Sequence, residues 1–311
     1  VDSLALANVQ LNLQAAFRNH FDKSRKKQTE FPRFKSAKRS RKSYTTNNQK
    51  GTVAIIGNSI KLPKIGRVKA VIHRQPDISW TIKSVTISQE GDGTYYASVL
   101  FEYEKNVVKV RKSDNAIGLD YASNGLYVDD KGNIGSNHKY YRESQKKLAK
   151  AQRKLSRMQG AKKGEKKSKN YLKQLRRVNK IHRHIANQRL DHLHKLSTEI
   201  ANQYDVVCVE SLDMKAMSNK GFGIGLATMD NGYGLFINML AYKLDDRGKH
   251  LVRVDKRFPS SQICHCCGKI HKEMKDLHIR TMSCDCGLAM SRDQNAAINI
   301  KLESLRILKS V

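Results

Sequence analysis

The spacing of hydrophobic residues changes several times along the 311-residue chain and divides it into distinct segments. Residues 4–21 repeat apolar side chains at helical spacing, which predicts one amphipathic helix. From Ser43 to Tyr103, short apolar runs alternate with turn signals such as Gly91-Asp92-Gly93. Strands are predicted there at 53–56, 59–62, 68–73, 82–89 and 94–103. Short strands at this spacing are typical of a small antiparallel β-barrel.

The second part of the chain combines apolar strand-like runs with long helical patterns. Its strands are predicted at 117–120, 126–128, 134, 206–210 and 251–254. Its helices are predicted at 141–159, 168–203 and 233–247. The first two of these helices are joined near 160–164 and form a basic hairpin, and the glycine-rich stretch 220–225 predicts a mobile loop. This order of elements indicates an α/β domain with a mixed sheet.

Composition adds a strong positive charge, with 59 Lys and Arg against 28 Asp and Glu and a net charge of +31. A surplus of this size indicates a polyanionic partner. Lys23–Lys42 is densely basic and contains Phe31-Pro32-Arg33-Phe34, a mixture that suits backbone contact and base stacking. The same segment could instead be a solvated basic loop. Candidate nucleic-acid contacts are Arg33, Phe34, Lys35, Lys173, Arg176, Arg177, Lys180 and Arg183.

Targeting signals are not visible in the sequence. No apolar run approaches the ~20 residues needed to span a bilayer, and no signal peptide is seen. We therefore expect a cytoplasmic protein, associated with the nucleoid of a prokaryote, without a membrane partner. Residue 1 is Val rather than Met, so the chain could be a fragment or a processed product.

Five of the six cysteines fall between Cys264 and Cys286. Cys264 and Cys267 form a Cys-x-x-Cys pair, and Cys284 and Cys286 form a Cys-x-Cys pair seventeen residues later. Two cysteine pairs across a short loop, each followed by Gly, suit a tetrahedral zinc ribbon. Our preferred Zn²⁺ ligands are these four cysteines, in a structural role. His265 and Cys266 offer further possible ligands, so the spacing alone leaves the set open.

Three acidic residues are the main catalytic candidates. Asp120 ends the apolar run 116–119, Glu210 ends the run 206–209, and Asp293 follows the cysteines within Ser291-Arg292-Asp293. If these positions meet at one edge of the sheet, their carboxylates would hold Mg²⁺ or Mn²⁺ for phosphodiester hydrolysis. Taken singly, Asp120 could be a turn residue and Asp293 could be a helix N-cap.

These motifs together resemble the transposon-encoded TnpB proteins, relatives of the type V CRISPR effectors. Gly118-Leu119-Asp120 looks like the first RuvC motif, Val209-Glu210-Ser211-Leu212 like the second, and the run 292–300 like the third. Phe258–Gln262, which precedes Cys264, is similar to the entry of the family's zinc ribbon. The segments 31–35 and 43–47 resemble its N-terminal barrel region, and the similarity runs from about residue 5 to residue 300.

The resemblance implies an α/β fold with an RNase H-like (RuvC) nuclease core, an inserted zinc ribbon and a long basic helical hairpin, preceded by a small antiparallel β-barrel. It implies a helical remnant of a recognition region at 1–28 and a wedge-like barrel at 29–114. The nuclease core then covers 115–258, with its hairpin at 141–203, and resumes at 289–311. The zinc ribbon occupies 259–288. The family's metal-binding acids correspond to Asp120, Glu210 and Asp293.

The resemblance also implies a function. It predicts a metal-dependent DNA endonuclease with a single RuvC-like site, guided by an RNA taken from the transposon end to a target DNA. A guided DNA-binding repressor, a truncated inactive remnant and an RNA-independent transposase are the alternatives.

Overall fold

The computed structural model describes residues 2–24, 29–36, 40, 42–110, 113–158, 167–219, 225–276 and 278–310. These residues separate into two compact units. The first contains the described residues up to Lys105 together with Leu175–Asn179, and the second contains the others. The helices are α1 (Ser3–Phe21), α2 (Tyr140–Arg157), α3 (Lys169–Gln203), α4 (Met214–Met217), α5 (Gly225–Asn231), α6 (Tyr233–Asp245) and α7 (Arg292–Lys309).

The strands of the first unit are β1 (Lys42–Asn47), β2 (Ala54–Ile55), β3 (Ser59–Leu62), β4 (Gly66–Lys69), β5 (Thr81–Gln89) and β6 (Tyr95–Glu102). The strands of the second unit are β7 (Ala116–Tyr121), β8 (Tyr127–Asp129), β9 (Val206–Glu210), β10 (His250–Val254), β11 (Thr281–Ser283) and β12 (Ala289–Ser291). The finer domain boundaries expected from the sequence stay a prediction.

The first unit contains α1 and two antiparallel sheets, in the orders β1-β5-β6 and β2-β3-β4. Both sheets contribute to one core of Val53, Ile60, Leu62 and Val85. Pairing among the described strands does not join the two sheets, so the small antiparallel β-barrel predicted from the sequence is not confirmed. The strand expected at 68–73 ends at Lys69, because Val71 is exposed and does not pack in this core.

The second unit is built on a four-stranded sheet in the order β10-β9-β7-β8. β9 pairs in parallel with both β7 and β10, whereas β8 is antiparallel to β7. Val206–Val209 are fully buried, as expected for a strand with both faces covered. One face packs against Leu193 of α3 and Phe236 of α6, and the other against Ile300 of α7. The mixed α/β organisation is therefore confirmed.

The strand predicted at 134 is reduced to one bridge between Val128 and Ile134, and the Ile134 side chain is exposed. The predicted helices α2 and α3 are both present and contact each other, since Gln174 donates to the carbonyl of Ala151 at 2.8 Å. Residues 159–166 and 220–224, which contain the predicted helix connection and most of the glycine-rich loop, lie outside the described residues.

Among the helices that the structure describes, none is both long enough and apolar enough to cross a membrane.

Candidate active site

The first two candidate acids lie at the carboxyl ends of neighbouring parallel strands. Ala116 pairs with Val206, and Leu119 pairs with Val209. The next residues along the two strands are Asp120 and Glu210, so this register brings them to the same edge of the sheet. Asp120 belongs to β7 rather than to a turn. The carboxyl ends of parallel strands are where open α/β sheets bind ligands.

Helix α7 brings the third acid to the same edge. It can lie directly on β7 because Gly118 has no side chain: a Cβ built there would be 2.0 Å from the carbonyl oxygen of Ala297. Asp293 precedes Ala297 by one helical turn and therefore lies towards the end of the strand. The N-cap of α7 is Ser291, so Asp293 is a first-turn residue, where the helix dipole favours a negative charge.

The carboxylate of Asp120 interacts electrostatically with those of Glu210 and Asp293. Burial raises the pKa of Asp120 well above its ordinary value of 3.8, and the charges of Glu210 and Asp293 raise it further. Burial also raises the pKa of Glu210. The acids are nevertheless less tightly grouped than the cysteines described below, which alone among the described residues form a set of three or more potential ligands within 4.8 Å.

Two arginines neighbour Asp293. The Arg292 Nε lies 3.4 Å from Asp293 Oδ1, and the Arg280 Nη1 lies 4.0 Å from Asp293 Oδ2. Arg292 is almost fully buried and also donates to the carbonyl of Asp276 at 3.2 Å. The side chain of Asp293 is therefore positioned by contacts that involve the cysteine-rich segment 264–286, directly through Arg280 and indirectly through Arg292.

A buried tyrosine completes the donor set. Tyr233, at the start of α6, is 1% exposed, and its hydroxyl has no hydrogen-bond partner among the described residues. Burial raises its pKa, and the charges of Asp120 and Glu210 raise it further. A carboxylate that interacts with two others, beside a buried hydroxyl, fits a hard divalent cation and its water ligands. Sequence reasoning missed Tyr233, because nothing in its local pattern distinguishes it from a core aromatic.

The four predicted cysteines meet in a second site. The Sγ atoms of Cys264 and Cys286 are 3.6 Å apart, those of Cys267 and Cys284 are 3.5 Å apart, and all four lie within 4.8 Å. All four are free thiols. Donation from the backbone N–H of Cys286, followed by the His271 side chain, lowers the pKa of the Cys284 thiol to about 6. Four converging thiols, one readily ionised, suit a thiophilic metal ion.

The two alternative ligands lie outside this cluster. The backbone N–H and the Nδ1 of His265 are 3.1 and 3.0 Å from Asn295 Oδ1. Cys266 is exposed and is not a member of the group. The structure thus favours the set preferred from the sequence over one that includes either residue.

Helix α7 connects the two sites. Its Asn295 donates to the carbonyl of Ile263 at 2.7 Å, and Asn299 donates to the carbonyls of Ser260 and Ile263 at 2.8 and 2.6 Å. These two asparagines hold the chain where it enters the cysteine segment, and Asp293 lies on the same helix. Sequence reasoning assigned them no role. Their spacing of four residues, beside the apolar Ala296 and Ile300, was the available signal.

The candidate nucleic-acid contacts lie on accessible surfaces. In the first basic segment, Phe34 and Lys35 are exposed, and Arg33 pairs with Glu30 at 2.8 Å. On α3, Lys173, Arg176, Arg177 and Lys180 are exposed, whereas Arg183 is half-buried. The opposite face of α3 is buried through Val178, Ile181 and Ile185. Their role in binding stays a prediction.

Two family models match the chain. Residues 98–220, which include Asp120 and Glu210, match the OrfB_IS605 family, described as "probable transposase". Residues 233–300, which include Asp293 and the four cysteines, match the family described as "Cas12f1-like, TNB domain". The two matches together cover both candidate sites.

Relatives with assigned names are similar over most of the chain. An inferred RNA-guided DNA endonuclease of Streptomyces pristinaespiralis is 32% identical over 309 residues, which cover 96% of this chain and 71% of that protein. The inferred RNA-guided DNA endonuclease InsQ of Escherichia coli K12 is 30% identical, over 84% of this chain and 64% of its own length. A chain in a Cas12f1–sgRNA–target DNA complex has a similar fold, with a TM-score of 0.54 and 14% identity over 88% of this chain and 66% of that chain.

Proposed function

The chain belongs to the family of TnpB-like, RNA-guided DNA endonucleases, and on this premise we propose that it hydrolyses phosphodiester bonds of DNA at Asp120, Glu210 and Asp293. The observation that carries the proposal is the convergence of these three acids at one edge of the sheet, although they are far apart in the sequence. Because the chain spans only part of the length of its relatives, the guided activity of the whole protein belongs to the proposal.

The acids would hold Mg²⁺ or Mn²⁺, since carboxylate oxygens are the ligands these ions prefer. A bound divalent cation would supply an activated water and stabilise the leaving oxygen of the cleaved bond. Asp120 and Glu210 are fixed by strand pairing, and Arg292 and Arg280 orient Asp293. The Tyr233 hydroxyl can donate a hydrogen bond at the same edge, and its burial keeps it protonated.

We assign Zn²⁺ to the four cysteines, in a structural role. Four thiolate ligands complete a tetrahedral site and leave no position open for a substrate. By holding the segment that Asn295 and Asn299 contact, the cluster would fix the start of α7 and therefore Asp293.

The partners proposed for this chain are a guide RNA from the transposon end and a target DNA. The net charge of +31 and the exposed basic side chains of α3 support polyanion binding. Sequence specificity would then come from base pairing, with the protein contacting the phosphate backbone.

The test uses shape-conserving variants of the three acids. Asp120→Asn, Glu210→Gln and Asp293→Asn should each reduce target cleavage below detection, because an amide cannot supply the anionic ligand. Asp191→Asn is the matched control, since Asp191 is exposed on α3 and, among the described residues, forms an ion pair only with Lys195, at 2.7 Å. Cleavage is measured with protein purified together with its RNA. Parent-level cleavage by any of the three site variants contradicts the assignment.

Sequencing the RNA that purifies with the protein tests the guide separately. Expression with the native flanking DNA should yield one defined RNA that ends in variable sequence. Only bulk cellular RNA, together with metal-dependent cleavage of DNA, would refute guidance while leaving the nuclease assignment intact.

A further inference from the structure

Asp130, the residue that follows β8, joins β7 to α7. Towards β7, its backbone N–H donates to the carbonyl of Gly118 at 3.2 Å, and its Oδ1 accepts from the Gly118 N–H at 3.1 Å. Towards α7, its Oδ2 accepts from the Nζ of Lys301 at 2.8 Å. All of these residues belong to the second unit. One residue therefore contacts both the strand that carries Asp120 and the helix that carries Asp293.

The ion pair between Asp130 and Lys301 is sheltered from water. The two side chains are 10% and 26% exposed, and among the described residues neither forms another ion pair. A charge-assisted hydrogen bond of low exposure is stronger and less screened by salt than one on the surface. The pair also lies where β7 and α7 approach closely, because a Cβ built on Gly118 would be 2.9 Å from the Cβ of Lys301.

The turn that presents Asp130 is itself fixed. The Oδ1 of Asp129 accepts from the backbone N–H groups two and four residues later, at 2.9 and 2.7 Å. Gly132 supplies the positive φ of +87° that this turn requires. The turn also packs against Gln294, the neighbour of Asp293, since a Cβ built on Gly132 would be 3.0 Å from the Gln294 Oε1. A rigid turn therefore meets α7 next to Asp293 and again at Lys301, about two helical turns later.

We propose that Asp130 is a positioning residue that sets the separation between Asp120 and Asp293, and with it the affinity of the proposed site for its divalent cation. It binds β7 two residues before Asp120, and through Lys301 it fixes the position of α7 along the helix axis. Asp130 itself does not contact the metal or the DNA. The inference rests on the proposed nuclease function and adds a residue on which the geometry of that site depends.

Mn²⁺ binding to the full chain tests this role without cleavage. Electron paramagnetic resonance measures free Mn²⁺ during a titration, and binding that Asp120→Asn lacks is assigned to the three acids. Asp130→Asn keeps an oxygen for the Gly118 N–H but loses the charge that pairs with Lys301. It should bind Mn²⁺ at this site about 10-fold more weakly, the lower end of the effect of removing groups that orient metal ligands.

The two ways in which this experiment can fail are distinguishable. Parent-level Mn²⁺ affinity in Asp130→Asn overturns the positioning role and leaves the metal site intact. A parent that binds no more Mn²⁺ than Asp120→Asn overturns the metal assignment itself, and the positioning role with it.

Asp205→Asn is the control for a general loss of stability. Asp205 pairs with Lys249 at 3.2 Å, and these side chains are 27% and 16% exposed, similar to Asp130 and Lys301. Asp205 directly precedes β9, so it lies at the end of the strand opposite Glu210. Both variants should melt at a lower temperature, but only Asp130→Asn should bind Mn²⁺ more weakly. Equal Mn²⁺ affinities in the two variants would reduce Asp130 to a structural residue.

The Mg²⁺ dependence of cleavage separates positioning from a loss of folded protein. With RNA-loaded protein in excess over target, Asp130→Asn should need about 10-fold more Mg²⁺ for its half-maximal rate. Its rate at saturating Mg²⁺ should approach that of the parent. A smaller folded fraction would instead lower the rate by the same factor at every Mg²⁺ concentration, and that result would overturn the role.

Variants of Lys301 test whether the pair acts as one contact. Lys301→Met keeps the apolar stem without the charge and should weaken Mn²⁺ binding as Asp130→Asn does. Lys301→Arg should recover part of the affinity, since a guanidinium also pairs with a carboxylate. The double variant Asp130→Asn/Lys301→Met should bind no more weakly than the weaker single variant, because both changes remove the same contact. Fully additive losses would show that the two residues act separately and would overturn the proposal.

Discussion

Replacing Gly118 with Ala tests whether the contact between α7 and β7 creates the proposed active site. The added Cβ would lie 2.0 Å from the carbonyl oxygen of Ala297 and 2.9 Å from the Cβ of Lys301. Real Cβ atoms essentially never approach within 3.0 Å, so the helix must move away by about 1 Å. The obstacle is backbone, which cannot rotate aside.

The cost follows from this displacement. Overpacking a well-packed core typically costs about 1–3 kcal/mol, and we expect about 3 kcal/mol because a whole helix must shift. Asp293 would move with the helix, and a displacement of ~1 Å can reduce a reaction rate by about 100-fold. Urea unfolding at neutral pH gives the stability, and single-turnover target cleavage gives the rate.

Gly234→Ala is the matched control for stability. Gly234 lies in the first turn of α6, and its added Cβ would be 3.6 Å from the Met214 side chain, an ordinary contact. Because Ala favours a helix more than Gly does, this variant should be more stable by about 0.5–1 kcal/mol. A Gly118→Ala protein that unfolds at the parent's urea concentration would refute the close-packing argument. A destabilised variant that cleaves at the parent's rate would refute the link to Asp293.

Two further predictions concern the metal sites. Cys264→Ser should reduce bound zinc and lower the Tm by more than about 4 °C, whereas the exposed Cys266→Ser should change neither; equal zinc content in both variants would remove Cys264 from the ligand set. In buffer without Mg²⁺, the raised pKa of Asp120 contributes to the stability of the folded protein. This contribution is fully present when the pH is below 3.8, the ordinary pKa of the group, and is lost as the pH rises through the raised pKa of the folded state. The parent should therefore lose stability relative to Asp120→Asn over that rise, measured as urea midpoints between about pH 4 and 8; a constant difference would contradict the burial of the charge.

Helices and strands with a regular pattern of hydrophobic residues were predictable from the sequence. The apolar runs that end at Asp120 and Glu210 became neighbouring parallel strands, because buried strands read as continuous apolar segments. The pattern of α3 likewise agrees with the observed helix. The barrel was harder to predict, because the sequences of short strands such as β2 and β4 do not determine which strands they pair with. In addition, Val71 is apolar and suggests a longer strand, although its side chain is exposed.

The parts of the site that were missed depend on contacts between distant segments. Gly118 was quoted as part of a motif, but its closeness to Ala297 is visible only once α7 lies on β7. Tyr233 is an aromatic in an apolar helix, and only the folded chain brings its hydroxyl near two charges.

The distance in sequence between the acids determines when the site is complete during synthesis. Asp293 is made 173 residues after Asp120, the difference between positions 293 and 120. At ~5–20 residues per second, a ribosome needs roughly 9 to 35 s to extend the chain from one to the other. During that interval strand pairing can already join Asp120 and Glu210, but the helix that carries the third acid does not yet exist. A nascent chain would thus carry an incomplete form of the proposed active site, which would be complete only after α7 packs against the sheet.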